Sequence, residues 1–460
     1  MERGTDRVVY VVSDLHLGPG WLPSGELEPL EDFSADEDFA RFLHAIGTTG
    51  TPVELVIAGD FLEYCQTLPE IGLASPEDHL GSTEAESIRR TRVILGLEPQ
   101  LTTGHPRVFQ ALRRFMMEGN SITIIAGNHD IDLLWDGVWA LVFDAIYPPG
   151  SCGDLRLVEY SYELGRGPRG RVYIEHGHEH DRANRFGDQM HDPFGIDRNG
   201  VWRLKRCWGT LFVDKVYNQL ERERWFIDNV KPILRVVRLG LRNDFLFTAT
   251  AVGLVVRFLM ASGLPPVLGG AEEGPEGAVE PDAEAVAAAL GDPALQAAVR
   301  AQLDDPAARA EFEAVMRGAD QGELRALLGG GGAALSLDDI TVVPGGEVVL
   351  GGGGADDVYR IAAAELLERD PSLSTVIMGH THTPIDGYAR PITLADGRQG
   401  YFFNSGTWTP HLRDEDRRSY SWAEIGDAAN YTTRFTYIKL EPDGRGGYRP
   451  LAGSWFDEER

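Results

Sequence analysis

Three observations predict an α/β fold for this chain of 460 residues. Short β-branched runs alternate with helical patterns through the first 200 residues. Several runs are apolar at nearly every position, as strands covered on both faces are. Each run closes in Asp, His, Asn or Gly, the residue types that bind a metal or stop a chain.

The elements follow in order. Val8-Val9-Tyr10-Val11-Val12 is the first strand, and Leu55-Val56-Ile57-Ala58 and Ile122-Thr123-Ile124-Ile125-Ala126 repeat it. Between the last two, Thr83 and Glu86 have the spacing of a capping box, in which side chain and backbone exchange hydrogen bonds at a helix start. A later helix carries Phe109, Leu112 and Met116 on one face and stops at Gly119-Asn120. Val172-Tyr173-Ile174, Val376-Ile377-Met378 and Tyr401-Phe402-Phe403 read as further strands.

Composition sets limits. With 43% hydrophobic and 25% charged residues the chain can bury a large core, which excludes wholesale disorder. Lys and Arg total 43 and Asp and Glu 71, a net charge of −28, so a general nucleic-acid binder or nuclease is disfavoured. Three scattered cysteines, Cys65, Cys152 and Cys207, make no disulfide framework and point to a reducing compartment. No signal peptide is visible before Val8, and a cytoplasmic location is expected.

From about 203 to 360 the character changes. Gly329 to Gly332 and Gly351 to Gly354 are four-glycine linkers, and residues 271–290 carry six acids and no base. Short helices such as Pro293 to Leu303 follow that linker. The stretch reads as a helical insertion into one domain formed by 1–202 and 361–460. Between 203 and 242, ten bases oppose four acids. Val230, Leu234, Val237 and Leu241 make an apolar stripe, with Lys231, Arg235, Arg238 and Arg242 beside it. Phe245 to Val256 are twelve residues without a charge, too few to cross a bilayer. Residues 203–268 therefore read as an interfacial anchor at the inner face of the membrane, a lid over a lipid-like or hydrophobic molecule, or a hairpin packed on the core or a second subunit.

Five segments hold the candidate chemistry: Asp14-Leu15-His16, Gly59-Asp60, Gly127-Asn128-His129-Asp130, His176-Gly177-His178 and Gly379-His380-Thr381-His382. On an extended chain, residues i and i+2 share a face, so an Asp and a His two apart can grip one cation. Gly379 is expected to let the backbone approach the site closely. A single triplet of this kind arises easily by chance. Five in this order, each after a strand-like run, do not.

In these blocks the sequence resembles the calcineurin-like metallophosphoesterases, whose pattern is D-x-H, GD, GNH-D/E, H and GH-x-H. The resemblance covers roughly 7–200 and 361–410. It implies two stacked mixed β-sheets flanked by helices, and two adjacent divalent transition-metal ions, with mixed N and O ligands that suit Mn, Fe, Zn or Co. Asp14, His16 and His382 would hold one ion, Asn128, His176 and His380 the other, with Asp60 bridging. His176 is assigned because it lies nearest the strand end, with His178 as the alternative. The implied reaction is hydrolysis of a phosphomonoester, phosphodiester or pyrophosphate by a metal-bridging hydroxide. His129 would serve the leaving group, with Asp130 holding its imidazole in the right tautomer. Asn404-Ser405-Gly406-Thr407 resembles the turn that supports such a site.

Asp60 leads into Phe61-Leu62-Glu63-Tyr64 rather than into the Arg of protein Ser/Thr phosphatases. This block is closer to the branch that includes UDP-2,3-diacylglucosamine pyrophosphohydrolase, which acts on a lipid-linked nucleotide and carries a helical lid. In that branch Arg commonly replaces His129. The expected substrate is thus a small-molecule or lipid-linked phosphoester. A non-catalytic scaffold is the rival, and it would have lost ligands that this chain keeps.

Overall fold

The computed structural model describes residues 7–69, 80–181, 183–187, 191–227, 340–343, 347–350, 355–413 and 420–455, with single positions at 243, 244, 247, 251 and 254. Strands β1 (Val9–Val12), β2 (Glu54–Ala58), β3 (Ser121–Ile125) and β4 (Leu155–Val158) run parallel as neighbours. Helices α1 (Asp36–Gly47), α2 (Glu84–Ile94), α3 (Pro106–Met117) and α4 (Asp136–Ile146) lie in their connections. β5 (Ser161–Leu164) and β6 (Arg171–Glu175) start a second sheet. A hairpin of β7 (Phe194–Ile196) and β8 (Trp202–Leu204) follows, then helices α5 (Trp208–Phe212) and α6 (Asn218–Glu223). β9 (Ile340–Val343) pairs antiparallel with β10 (Glu347–Leu350), and α7 (Ala355–Arg369) leads into β11 (Leu373–Met378). After β12 (Ile392–Thr393), β13 (Gln399–Asn404), β14 (His411–Leu412), α8 (Trp422–Ile425) and β15 (Tyr431–Thr432), the described chain closes with β16 (Thr436–Pro442) and β17 (Tyr448–Ser454).

Two mixed sheets result. One has the order β17-β16-β1-β2-β3-β4, the other β12-β13-β11-β6-β5. The period of two along each strand explains how they pack. Val9, Val11, Val56, Ala58 and Ile125 point inward, where they meet Val172, Ile174, Ile377 and Phe403 of the other sheet. The alternate residues Tyr10, Val12, Leu55, Ile57, Ile122 and Ile124 face outward and pack with Phe39, Phe42, Val108, Leu112 and Val142 of α1, α3 and α4. On the far side Tyr173, Val376, Met378 and Phe402 pack with Tyr359, Ala363 and Leu367 of α7. Both faces of both sheets are thus covered by apolar side chains, which is why the strands read as continuous apolar runs.

All six expected strands are present, with bounds shifted by a few residues. Thr83 forms its capping box, since Thr83 N donates to Glu86 Oε2 at 2.8 Å and Glu86 N donates to the Thr83 hydroxyl at 3.3 Å. The amphipathic helix at Phe109, Leu112 and Met116 is α3, which starts on Pro106 and ends at Met117. Sequence reasoning missed the closing hairpin of β16 and β17, whose inner strand carries Ile438 and Leu440 opposite Val11 and Val9.

Both sheets combine strands from before residue 202 and after residue 361: β16 pairs with β1, and β11 with β6. The expected resumption at Ile361 falls inside α7, which starts at Ala355. Residues 203–227 pack on this body, with Trp208, Phe212 and Tyr217 in one cluster with Cys65, Leu412, Tyr420 and Tyr431. Phe247 and Ala251 are buried in the same cluster. The basic stripe at 230–242, most of the apolar run after it, the acidic linker and the 293–303 helix lie outside the described residues. No helix among the described residues is long and apolar enough to cross a membrane.

One buried ionic knot fixes the loop beyond β1. His105, the residue before α3, sits between Glu31 (Nε2 to Oε2, 3.1 Å) and Asp36 at the start of α1 (3.2 Å). Glu31 also accepts hydrogen bonds from the Gly20 and Phe33 amides, at 2.6 and 2.8 Å. Burial disfavours the imidazolium, but the Glu31 and Asp36 carboxylates more than offset this and push its pKa up to about 9. A group raised in the folded state stabilises fully below its unfolded value, here 6.5, and loses that contribution as pH rises through about 9. Denaturant unfolding of the wild type should therefore lose on the order of 3 kcal/mol between pH 6.5 and 9. His105→Gln should flatten that slope; an equal slope in both proteins would refute the assignment.

Candidate metal centre

All five motif blocks lie just past carboxyl ends of strands. Asp14 and His16 follow β1, Asp60 follows β2, Asn128 follows β3, His176 follows β6, and His380 and His382 follow β11. Ligand sites in open α/β sheets gather at such ends. Backbone hydrogen bonds stitch the loops together. Asp14 N donates to Gly59 O at 3.1 Å, His16 N to Asp60 O at 2.9 Å, and Gly379 N to His176 O at 2.9 Å.

The backbone at these residues departs from expectation. Asp14 (φ 52°) and His16 (φ 48°) are left-handed rather than extended, and so are Asp60 (48°), His380 (69°) and His382 (57°). These are five of the seven non-glycine residues with positive φ among those described. A left-handed L-residue costs about 1–2 kcal/mol. Such strain persists only where the surroundings enforce it, and it concentrates at functional sites.

The side chains expected to ligate converge in two groups that share a centre, and a third group of His16, Glu63 and His129 adjoins them. His382 Nε2 lies 3.3 Å from Asp14 Oδ1 and 3.2 Å from His16 Nε2. Asp60 Oδ2 lies 3.0 Å from His176 Nε2 and 3.7 Å from His16 Nε2, so it reaches both groups. The His176 and His380 rings are 5.2 Å apart. Potential ligand atoms of Asp14, His16 and His382 lie within 4.8 Å of one another, as do those of Asp60, His176 and His380. Every one of these residues is buried; His382, at 6% exposure, is the most open. Asn128 is buried beside them, and its Oδ1 has no hydrogen-bond partner.

The donor chemistry fits cations. His176 Nδ1 donates to the Ala58 carbonyl at 2.9 Å, so in the neutral ring Nε2 carries a lone pair aimed at the Asp60 carboxylate. His16 Nδ1 faces Glu63 Oε2 at 2.8 Å, which likewise leaves Nε2 as the lone pair toward His382 and Asp60. Acceptors facing acceptors in a buried space repel unless positive charge lies among them. These buried clusters can therefore hold metal ions. Without a cation, protons must relieve the repulsion. Burial lowers the His16 pKa, but Glu63 and Asp60 drive it above its ordinary value. Burial raises that of Asp60, yet the neighbouring His176 and His129 hold it well below the usual carboxylate range.

Asp130 requires a correction. Its carboxylate accepts from Gly127 N at 2.6 Å and Phe61 N at 2.8 Å, clamping the loops after β2 and β3 together. It does not orient His129. Burial and the Asp60 charge push its pKa up to about 7, against the pull of the Gly127 amide. The partner of His129 is Glu63, whose Oε2 lies 2.6 Å from His129 Nδ1 and 2.8 Å from His16 Nδ1. One carboxylate oxygen thus aims two imidazoles. Burial alone lowers the pKa of His129, but the Glu63 charge raises it well above the ordinary value. His129 Nε2 has no hydrogen-bond partner. Sequence reasoning missed this role of Glu63, although an acid three residues past Asp60 in an apolar run was a usable signal.

His178 is buried beside the site, its ring 5.4 Å from His176, but it joins neither group of converging ligand atoms. The Asn404–Thr407 turn does support the site. Asn404 Nδ2 donates to Gly379 O at 2.6 Å, and the Thr407 hydroxyl donates to Asp14 O at 2.7 Å. The close approach at Gly379 is also present. A Cβ there would lie 2.4 Å from Ser13 Oγ and 2.5 Å from Asp14 Oδ2. Gly379→Ala must displace Asp14 and should weaken Mn²⁺ binding by about tenfold or more in calorimetric titration. Unchanged affinity would show that Asp14 does not ligate.

No family model and no curated protein matches this chain.

Proposed function

We propose that the chain is a dinuclear-metal-dependent phosphoesterase of the calcineurin-like kind, hydrolysing a phosphomonoester, phosphodiester or pyrophosphate. The observation that carries this reading is Asp60, which belongs to one buried group of ligand atoms and reaches His16 of the other, with His129 alongside. Asp14, His16 and His382 would hold one ion, and Asn128, His176 and His380 the other. Two such ions supply Lewis acidity and an activated water near neutral pH.

The protein's own part is positioning and proton delivery. The His129 amide donates to Asp60 Oδ1 at 3.0 Å, which fixes the imidazole beside the bridging carboxylate. Glu63 keeps His129 protonated, so its Nε2–H can be given to a departing oxygen. Leu133 and Phe61, both fully buried, help exclude water from beneath the loops. The −28 charge does not oppose an anionic substrate, because bound cations supply positive charge where the phosphate sits. A lipid-linked nucleotide remains within this substrate class.

A chromogenic phosphodiester assayed with Mn²⁺ tests the reading. Asp60→Asn and His380→Ala should abolish turnover; wild-type rates in Asp60→Asn would sink the two-metal account. His129→Ala should slow esters of poor leaving groups by about 10²–10⁴ and activated ones much less. In Glu63→Gln the neutral amide no longer supports the imidazolium, so the His129 pKa drops. The high-pH limb of the rate profile should then move to lower pH, and a limb that stays in place would exclude His129 as the acid.

A further inference from the structure

Asn128 offers a metal an oxygen only if its amide faces one way. The loop after β6 shows what sets that direction. Asp181 is buried, and its Oδ1 accepts from Ala183 N at 2.8 Å. Its Oδ2 accepts from Asn184 Nδ2 at 2.9 Å and faces His380 Nε2 at 3.3 Å. A carboxylate accepts hydrogen bonds and cannot donate them, so Asn184 must turn its NH₂ group toward Asp181. Its Oδ1 then points at Asn128, which can only donate: Asn128 Nδ2 to Asn184 Oδ1 is 3.4 Å. Asn128 Oδ1 is left on the opposite side, buried and without a hydrogen-bond partner. The reverse orientation of either amide would set oxygen against oxygen.

We infer that Asn184, polarised by Asp181, is a positioning residue that presents the Asn128 oxygen to the second metal ion. This rests on the dinuclear reading above. The relay joins two ligands of the same ion, Asn128 and His380, through the Asn184 and Asp181 side chains. It is also held from outside. Gly209, in α5, donates its N–H to Ala183 O at 2.9 Å, and a Cβ at Gly209 would lie only 2.0 Å from Asn184 Oδ1. The segment 203–227 thus reaches the metal centre through this contact.

Asn184→Ala removes the relay, and a water in its place can donate or accept, so the polarity is lost. Manganese alone, titrated calorimetrically into chelator-treated protein, reads the effect without any assay of hydrolysis. The wild type should take up two Mn²⁺, and Asn184→Ala should weaken one of them by about 10–100-fold while sparing the other. The decisive comparison places Asn184→Ala in an Asn128→Asp background. A carboxylate has no amide polarity to set, and it would face the Asn184 oxygen unfavourably. There Asn184→Ala should cost nothing or tighten binding.

An equal loss in both backgrounds, or equal weakening of both ions, would overturn the relay and leave Asn184 a packing residue. Two Mn²⁺ with unchanged affinity in Asn184→Ala would overturn it while sparing the dinuclear reading. A wild type that fails to bind two ions would remove both. Asn184→Ser, smaller in its disturbance, repeats the series should the alanine variant not fold.

Discussion

Acceptor atoms crowd together at the carboxyl ends of the two sheets, and that crowding is the constraint on which the remaining structure depends. Asp60 is at its centre. One carboxylate oxygen takes the His129 amide, and the other faces the lone-pair sides of His176 and His16. Such an arrangement is unfavourable in a buried space unless positive charge occupies it. The rest of the fold can be understood as what holds it together. The two sheets share one apolar layer, so the ends of β1, β2 and β3 are fixed against those of β6 and β11. The loops then have no room to relax away from one another.

That rigidity explains why the strain is tolerated. Five left-handed backbones at Asp14, His16, Asp60, His380 and His382 are local costs met by the packing beneath them. The Asp130 carboxylate contributes from within, tying Gly127 to Phe61. Asn404 and Thr407 contribute from the other sheet. Each of these contacts restrains a main-chain atom rather than a side chain. The support therefore acts on where the ligands begin, while Glu63, Ala58 and Asn184 act on which way they point.

The fold was legible in the sequence where burial is symmetric. Val9 to Val12 and Ile122 to Ile125 face apolar layers on both sides, which leaves a continuous apolar run that one sequence displays. The closing hairpin was not, because its polar residues Lys439, Glu441 and Arg449 interrupt the run while Ile438 and Leu440 still fill the shared layer. The convergence of the candidate ligands was legible because metal-binding residue types recur after strands. Their backbone was not, since a two-residue spacing suits an extended strand as well as two left-handed residues. Chain adjacency pointed to Asp130 as the partner of His129, yet a turn sends neighbouring side chains apart, and Glu63 comes in from 66 residues away. Asn184 gave no signal at all, since its partner Asn128 lies 56 residues away in sequence and both are ordinary amides.

Charge bookkeeping at the centre gives the proposed chemistry an order of events. Asp14, Asp60, Glu63, Asp130 and Asp181 bring five carboxyl groups into one buried region. A phosphate group meeting that region alone would be repelled, and the low effective dielectric would strengthen the repulsion. Two divalent ions would offset most of that negative charge, and a proton on His129, beside Glu63, would offset more. In the proposed reaction metal loading would then precede substrate binding, because the same carboxylates that would attract the cations would exclude the anion in their absence. Under the proposed function, a chain of −28 would accept an anionic ester because attraction would come from the loaded centre and not from the protein surface.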